Sequence, residues 1–199
     1  MSRFEYTALL IAAVVSFTGP GAARAEEARP DTIVIDVDSQ ELKVVKKGQE
    51  VAKFPVSTSK FGVGDDLHSY KTPLGQLKVC AKTGEQLPEG AVLKHGRFTG
   101  EVLPPNAPGR DPIVTRMIRL AGLESRNKHA FARGIFIHGT PEESRIGQPV
   151  SWGCIRMRSK DVVVLFKEVA VGTRVLIQGT GHPKSLPEQI GEWVSNWWS

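Results

Sequence analysis

Ile135-Phe136-Ile137-His138-Gly139-Thr140 and, after a polar loop, Ser151-Trp152-Gly153-Cys154-Ile155-Arg156-Met157 decide how this chain is read. Each half is a short β-type apolar run with one chemically active side chain at its mouth. His138 closes the first run, and Cys154, held by Gly153, opens the second sixteen positions later. One loop joins them, so an imidazole and a sulfur can meet in space. Cysteine is mostly thiol at neutral pH, the nucleophile is the thiolate, and a neighbouring imidazole is its usual activator. The stretch reads as a cysteine-nucleophile site on a β scaffold.

Outward from it, the chain alternates in the manner of strands. Residues 32–37 set Ile33, Ile35 and Val37 against polar or smaller neighbours. Residues 41–46 form a second strand, and a Lys47-Gly48-Gln49 turn leads into a third over 51–56. A glycine-bearing loop, 57–70, and the turn Lys71-Thr72-Pro73-Leu74-Gly75 precede a strand over 76–81. Residues 82–110 are rich in glycine and proline with no sustained period; a segment of that length either hides short strands or forms a flap over substrate. Strand character resumes over 113–120, and 124–133 is polar enough for a short helix or lid. Ser159 is the expected N-cap of a helix with Asp161 in its first turn and Val162, Leu165, Phe166 and Val169 on one face. Gly172 is expected to end it before a last strand over 173–178. Many strands and few helices predict one mainly β domain with a few short helices over residues 32–179.

The chain has 199 residues with 26 Lys+Arg against 21 Asp+Glu, a formal charge of +5. Its amino terminus has the plan of a secretory signal peptide: Arg3, an apolar run over 7–17, the breaker Gly19-Pro20-Gly21, and small residues around Ala25 for cleavage. Export to the periplasm or cell envelope follows, with residues 26–31 as a short linker. Cleavage removes two arginines and one glutamate and leaves +4, which suits an anionic wall surface but includes no basic block dense enough for nucleic acid. Residues 180–199 read as a separate Trp-rich helical tail with Leu186, Ile190, Trp193, Val194, Trp197 and Trp198 on one stripe. Docking on its own domain is the plain expectation. Membrane contact is not favoured, because Glu188 and Glu192 oppose anionic lipid. Two cysteines in an exported chain leave a Cys80–Cys154 disulfide as the structural alternative to a reactive thiol.

Chemically, a thiolate needs a base, an orienter behind that base, and donors for the oxyanion that forms. His138 supplies the base, and a carbonyl from the following loop can hold its other nitrogen. Backbone N–H groups at Gly153 and Cys154 can serve the oxyanion. Arg156 shares a face with Cys154 if the segment is extended and could fork onto a substrate carboxylate. A lone buried histidine or cysteine is more often plain core, and a lone arginine a surface ion pair. The joint pattern shifts that balance. A zinc site fits poorly, because His68, His95, His129 and His182 show no paired ligand spacing.

His138-Gly139-Thr140 with Ser151-Trp152-Gly153-Cys154-Ile155-Arg156-Met157 closely resembles the signature of the bacterial L,D-transpeptidases, the YkuD-type catalytic domain. The resemblance extends to Val56-Ser57-Thr58-Ser59, to Lys71-Thr72-Pro73-Leu74-Gly75, and to Leu165-Phe166 through Val171-Gly172-Thr173. It implies a sandwich-like fold of packed mixed sheets with the cysteine at the base of a cleft. It also implies Cys154 as the acylated nucleophile, His138 as general base and acid, the Gly139 carbonyl as orienter, and Gly153 and Cys154 amides as the oxyanion hole. Arg156, Trp152 and Ser151 would contact substrate. The implied reaction cuts the L-to-D bond before the terminal D-alanine of a peptidoglycan tetrapeptide stem and passes the acyl group to an amine, with no metal or organic cofactor. The family has a second histidine where this chain has Trp152, and a glycine where it has His68. Hydrolysis at the same centre and a silent wall-binding protein are the competing readings.

Overall fold

The protein, a computed structural model, is described over residues 32–181; the signal-peptide, linker and tail readings fall largely outside those residues. Strand β1 (Thr32–Asp36) buries Ile33 and Ile35 and turns Thr32, Val34 and Asp36 partly outward, as the alternation requires. Next come β2 (Glu41–Lys46) and β3 (Gln49–Pro55). The turn between them is tighter than the sequence suggests. Lys47 and Gly48 alone make it, with φ of 50° and 74°, the type I′ geometry whose twist matches a hairpin.

Strand β4 (Gly75–Thr83) is followed by the hairpin β5 (Ala91–Lys94) and β6 (Arg97–Val102), so the Gly/Pro-rich segment does hide short strands. Strand β7 (Val114–Gly122) leads to β8 (Phe136–Gly139), β9 (Ile155–Met157), helix α1 (Ser159–Glu168) and β10 (Arg174–Gln178). The pairing order is β3-β2-β1-β10-β4-β7-β5-β6, with β8 on β7 and β9 on β8. Strands β1 and β10 run parallel, as do β8 and β9, and the other pairs are antiparallel. The fold is therefore mainly β around a mixed sheet, with one α-helix among the described residues.

One apolar cluster joins every layer: Ile33 and Ile35 from β1, Leu77 from β4, Ile118 and Leu120 from β7, Ile137 from β8 and Ile155 from β9. Helix α1 closes it with Val162, Leu165 and Phe166. Its ends correct the sequence reading. Arg158, not Ser159, is the N-cap, because the Ser159 hydroxyl is taken by Thr115 Oγ1 at 2.7 Å and its amide donates to Glu143 Oε1 at 2.8 Å. Val169, in an extended conformation, stops the helix before Gly172 is reached. The last carbonyls are met by Lys82, whose Nζ donates to the oxygens of Phe166 and Val169 at 2.6 Å each.

The polar segment before β8 holds a single 3₁₀ turn, Ser125–Asn127, stapled to the sheet by one side chain. Asn127 is fully buried; its Nδ2 donates to the Leu74 and Gln76 carbonyls at 2.9 Å each, and its Oδ1 accepts from the Glu124 amide at 2.9 Å. Asn127→Ala is expected to remove three hydrogen bonds that tie the segment to the sheet, although the Gln76 carbonyl keeps the Leu123 amide, and to cost about 1–3 kcal/mol in urea unfolding. A change within error would mean that the segment is held by other means.

Candidate active site

Parallel pairing of β8 with β9 sets Ile137 against Ile155, His138 against Arg156 and Gly139 against Met157. Ile137 and Ile155 face the core, so His138 and Arg156 share the opposite face; Cys154 lies in the bend just before β9, two residues ahead of Arg156. The far edge of β9 is gripped by the loop after β3: Ser57 and Arg156 exchange backbone hydrogen bonds of 2.9 Å in both directions. Ser151 N–H donates to the Thr58 carbonyl at 2.9 Å and the Lys60 amide to Ser151 O at 3.1 Å. Gly153 has φ of +117°, and a Cβ there would lie 3.2 Å from Lys71 O and 3.3 Å from Tyr70 O, so conformation and close approach both call for glycine.

Cys154 lines a cleft of about 300 Å³ with Leu67, His68, Tyr70, Arg133 and Trp152. Its thiol donates to the Gly134 carbonyl at 3.4 Å. Burial pushes the thiol up to about 11, opposed by the Phe136 backbone N–H beside the sulfur and by the charges of Arg133 and Arg156. His138 is buried, and its Nδ1 lies 2.8 Å from the Gly139 carbonyl. A carbonyl only accepts, so Nδ1 carries the proton and Nε2 the lone pair. Burial holds the imidazole below its ordinary value; the Gly139 carbonyl and Asp111 pull it back up, and Arg156 pushes it further down. The resting pair is thus an uncharged thiol and an uncharged imidazole. At rest the thiol proton is aimed at Gly134 rather than at the ring. Cys80 and Cys154 are both free, so the disulfide alternative is not formed.

The neighbours sit less simply than the sequence suggests. Ser151, read as a substrate contact, is 1% exposed; its hydroxyl donates to Cys154 O at 2.6 Å and accepts from the Gly153 amide at 3.2 Å. It shapes the cysteine turn from inside, and it occupies the Gly153 N–H that the oxyanion reading assigns to substrate. Arg156 is 3% exposed, and its Nη1 is paired with Asp111 and, at 3.1 Å, with Glu142, so its charge is already met inside the protein. Trp152 does face the cleft, 59% exposed, in edge contact with Phe61 at 5.2 Å and Tyr70 at 5.3 Å, with Lys60 Nζ 4.1 Å from its ring centre. His68 has φ of 61°, a left-handed conformation that explains why glycine suits this position.

Residues 30–177 match the model of the L,D-transpeptidase catalytic domain, YkuD. The chain belongs to the L,D-transpeptidase family. It is 32% identical over 145 residues to YqjB of Bacillus subtilis, a protein named for that activity, covering 73% of this chain and 69% of the relative. It is 31% identical over 159 residues to the similarly named YcfS of Escherichia coli, covering 77% of this chain but only 46% of the relative. In structure it resembles an L,D-transpeptidase from Mycobacterium smegmatis with a TM-score of 0.50 at 20% identity, over 74% of this chain and 58% of that one. That last likeness concerns the fold.

Three parts of this L,D-transpeptidase-family site escape sequence reading. The Phe136 amide beside the sulfur belongs to the apolar run taken as mere scaffold. Asp111 lies just past the Gly/Pro-rich segment, 45 positions from Arg156. Arg133 ends the polar lid and ties it to the loop opposite: its Nη1 meets Asp65 Oδ1 at 3.1 Å, and its Nη2 donates to Lys71 O at 2.5 Å.

Proposed function

We propose that the protein is an exported L,D-transpeptidase acting on peptidoglycan stem peptides in wall cross-linking or remodelling, with Cys154 as nucleophile. The observation that supports this reading most is the register that sets His138 beside Arg156, two residues past Cys154, on adjacent parallel strands, with the imidazole held by the Gly139 carbonyl at 2.8 Å. Export rests on the leader-like residues 1–25, and the periplasm or cell envelope is the compartment this implies.

In the proposed cycle the donor tetrapeptide enters the cleft between Tyr70, Trp152 and Arg133, and the thiol swings from Gly134 toward His138 Nε2. Nε2 takes the proton as sulfur attacks the carbonyl of the L-to-D bond before the terminal D-alanine. The Cys154 amide faces the oxyanion, with the Gly153 amide joining as it is shared with Ser151. The bond to D-alanine breaks, His138 returns the proton to the leaving amine, and a thioester remains. An amine of a second stem then attacks, giving its proton to Nε2, and expulsion of the sulfur forms the new amide and restores the thiol. Arg156 and Ser151 hold this geometry from within, while Trp152 offers an aromatic wall in place of a second acid–base group.

Purified protein incubated with tetrapeptide muropeptides is expected to give cross-linked dimers by mass spectrometry, and a carbapenem to add one adduct at Cys154. Trimmed monomers would redirect the reading to hydrolysis, and unchanged substrate with an unmodified thiol would sink it. The free base is needed, and its titration lies below the ordinary 6.5, so the acid limb of the rate profile is expected below that pH.

A further inference from the structure

Behind the imidazole lies a buried charged group that the proposed cycle gives no part in proton transfer or substrate contact. Arg156 reaches it from β9, directly opposite His138 in the strand register. Only Nη1 of its guanidinium is engaged, by the carboxylates of Asp111 and Glu142, while Nε and Nη2 are buried without a partner among the described residues. A buried cation held through one nitrogen depends on those two carboxylates for its position and its neutralisation. They are not equivalent. Asp111 is also fixed by the Thr140 hydroxyl, which donates to its Oδ1 and accepts from the Glu142 amide at 3.0 Å. Thr140 follows Gly139, whose carbonyl orients the ring. Asp111 is thereby tied to both strands of the site. Glu142 is half-exposed and shares its carboxylate with Arg145 at 3.3 Å.

We propose that Asp111 is a positioning residue of the L,D-transpeptidase site: anchored by Arg156 and Thr140, its carboxylate governs the protonation of the His138–Cys154 pair. This rests on the assignment of that pair as the reacting groups. From β9 the charge facing the ring is Arg156, from the loop before β7 it is Asp111, and β7 itself presents uncharged Met117 opposite His138. Arg133, from the segment before β8, acts on the sulfur. Asp111 opposes Arg156 at both reacting groups, favouring the protonated imidazole and the protonated thiol. The sign of its removal follows. With Arg156 opposed by Glu142 alone, the imidazole becomes a weaker base and the thiol a stronger acid.

The test compares wild type, Asp111→Asn, Asp111→Glu and Glu142→Gln, each checked for native circular dichroism. Asparagine keeps an oxygen for Arg156 and Thr140 but drops the charge. The readouts are the His138 titration midpoint by NMR and the pH profile of site-resolved Cys154 alkylation by iodoacetamide. Asp111→Asn is expected to lower both; alkylation at fixed pH rises about tenfold for each pH unit of displacement. Asp111→Glu restores both toward wild type, and Glu142→Gln leaves both in place. Mere loosening of the site would instead raise the His138 midpoint toward its exposed value, because burial is what depresses it. An upward or absent His138 shift, or equal shifts in Asp111→Asn and Glu142→Gln, overturns the proposal. If the expected shifts occur but wild type forms no thioester or carbapenem adduct, the role of Asp111 stands and it is the catalytic reading of Cys154 that fails.

Discussion

Cys154→Ser is expected to lose acylation by about a thousandfold or more, in muropeptide turnover and in carbapenem adduct formation alike. The thiol already sits at about 11 in this site, and a hydroxyl is several units less acidic again, while the base assigned to it is an imidazole weakened by burial. A serine oxygen cannot be deprotonated to any useful extent by such a base, nor does it match sulfur as a nucleophile. Folding should survive: serine retains a donor for the Gly134 carbonyl that the thiol meets at 3.4 Å, so the thermal midpoint serves as control. An adduct persisting on the serine variant, or one found at Cys80, would defeat the assignment. Cys80 lies aside, its sulfur donating to Arg119 O at 3.3 Å.

Asp65→Ala is expected to destabilise the fold by about 3–5 kcal/mol, the scale for removing one partner of a buried pair. The Asp65 and Arg133 side chains are 7% and 6% exposed and meet at 3.1 Å. Asp65 Oδ2 also accepts the His129 amide at 2.7 Å, and Arg133 Nη1 donates to Gly64 O at 3.0 Å. This clamp joins the two walls of the Cys154 cleft, so the surviving folded fraction should show a raised KM. The double replacement Asp65→Leu with Arg133→Met is expected to recover most of the stability, since no lone charge is left buried. It should not recover the rate, because Arg133 also favours the thiolate. Equal unfolding free energies for wild type and Asp65→Ala would show that the pair contributes nothing net.

Legibility from sequence followed the range of the interaction. The alternation of Ile33 and Ile35, or of Leu77 and Val79, is local and survives into the core unchanged. His138 and Cys154 were legible because a single loop joins them and their residue types have few other uses at such positions. The start of α1 differs from the sequence expectation because Ser159 is a good cap in isolation, yet Thr115, far back on β7, takes its hydroxyl. Ser151 and Arg156 draw attention for their chemistry, but their residue types do not say that the Ser151 hydroxyl is taken by Cys154 O or that the Arg156 charge is met inside the protein by Asp111 and Glu142. Thr115 itself, a β-branched residue at φ of 69°, is held there by the Ser159 hydroxyl and the Gly90 amide at 2.9 Å, partners that no sequence window contains.

The lateral pairing of β1 with β10 has a mechanical consequence. These strands run parallel over five matched positions, from Thr32 with Arg174 to Asp36 with Gln178. The chain therefore enters at one end of this ladder and departs at the other, about 13 Å away at ~3.3 Å per residue. Tension applied through both flanking segments loads every rung at once in shear instead of unzipping them one by one, so this seam is the part of the fold best suited to resist being pulled apart lengthwise.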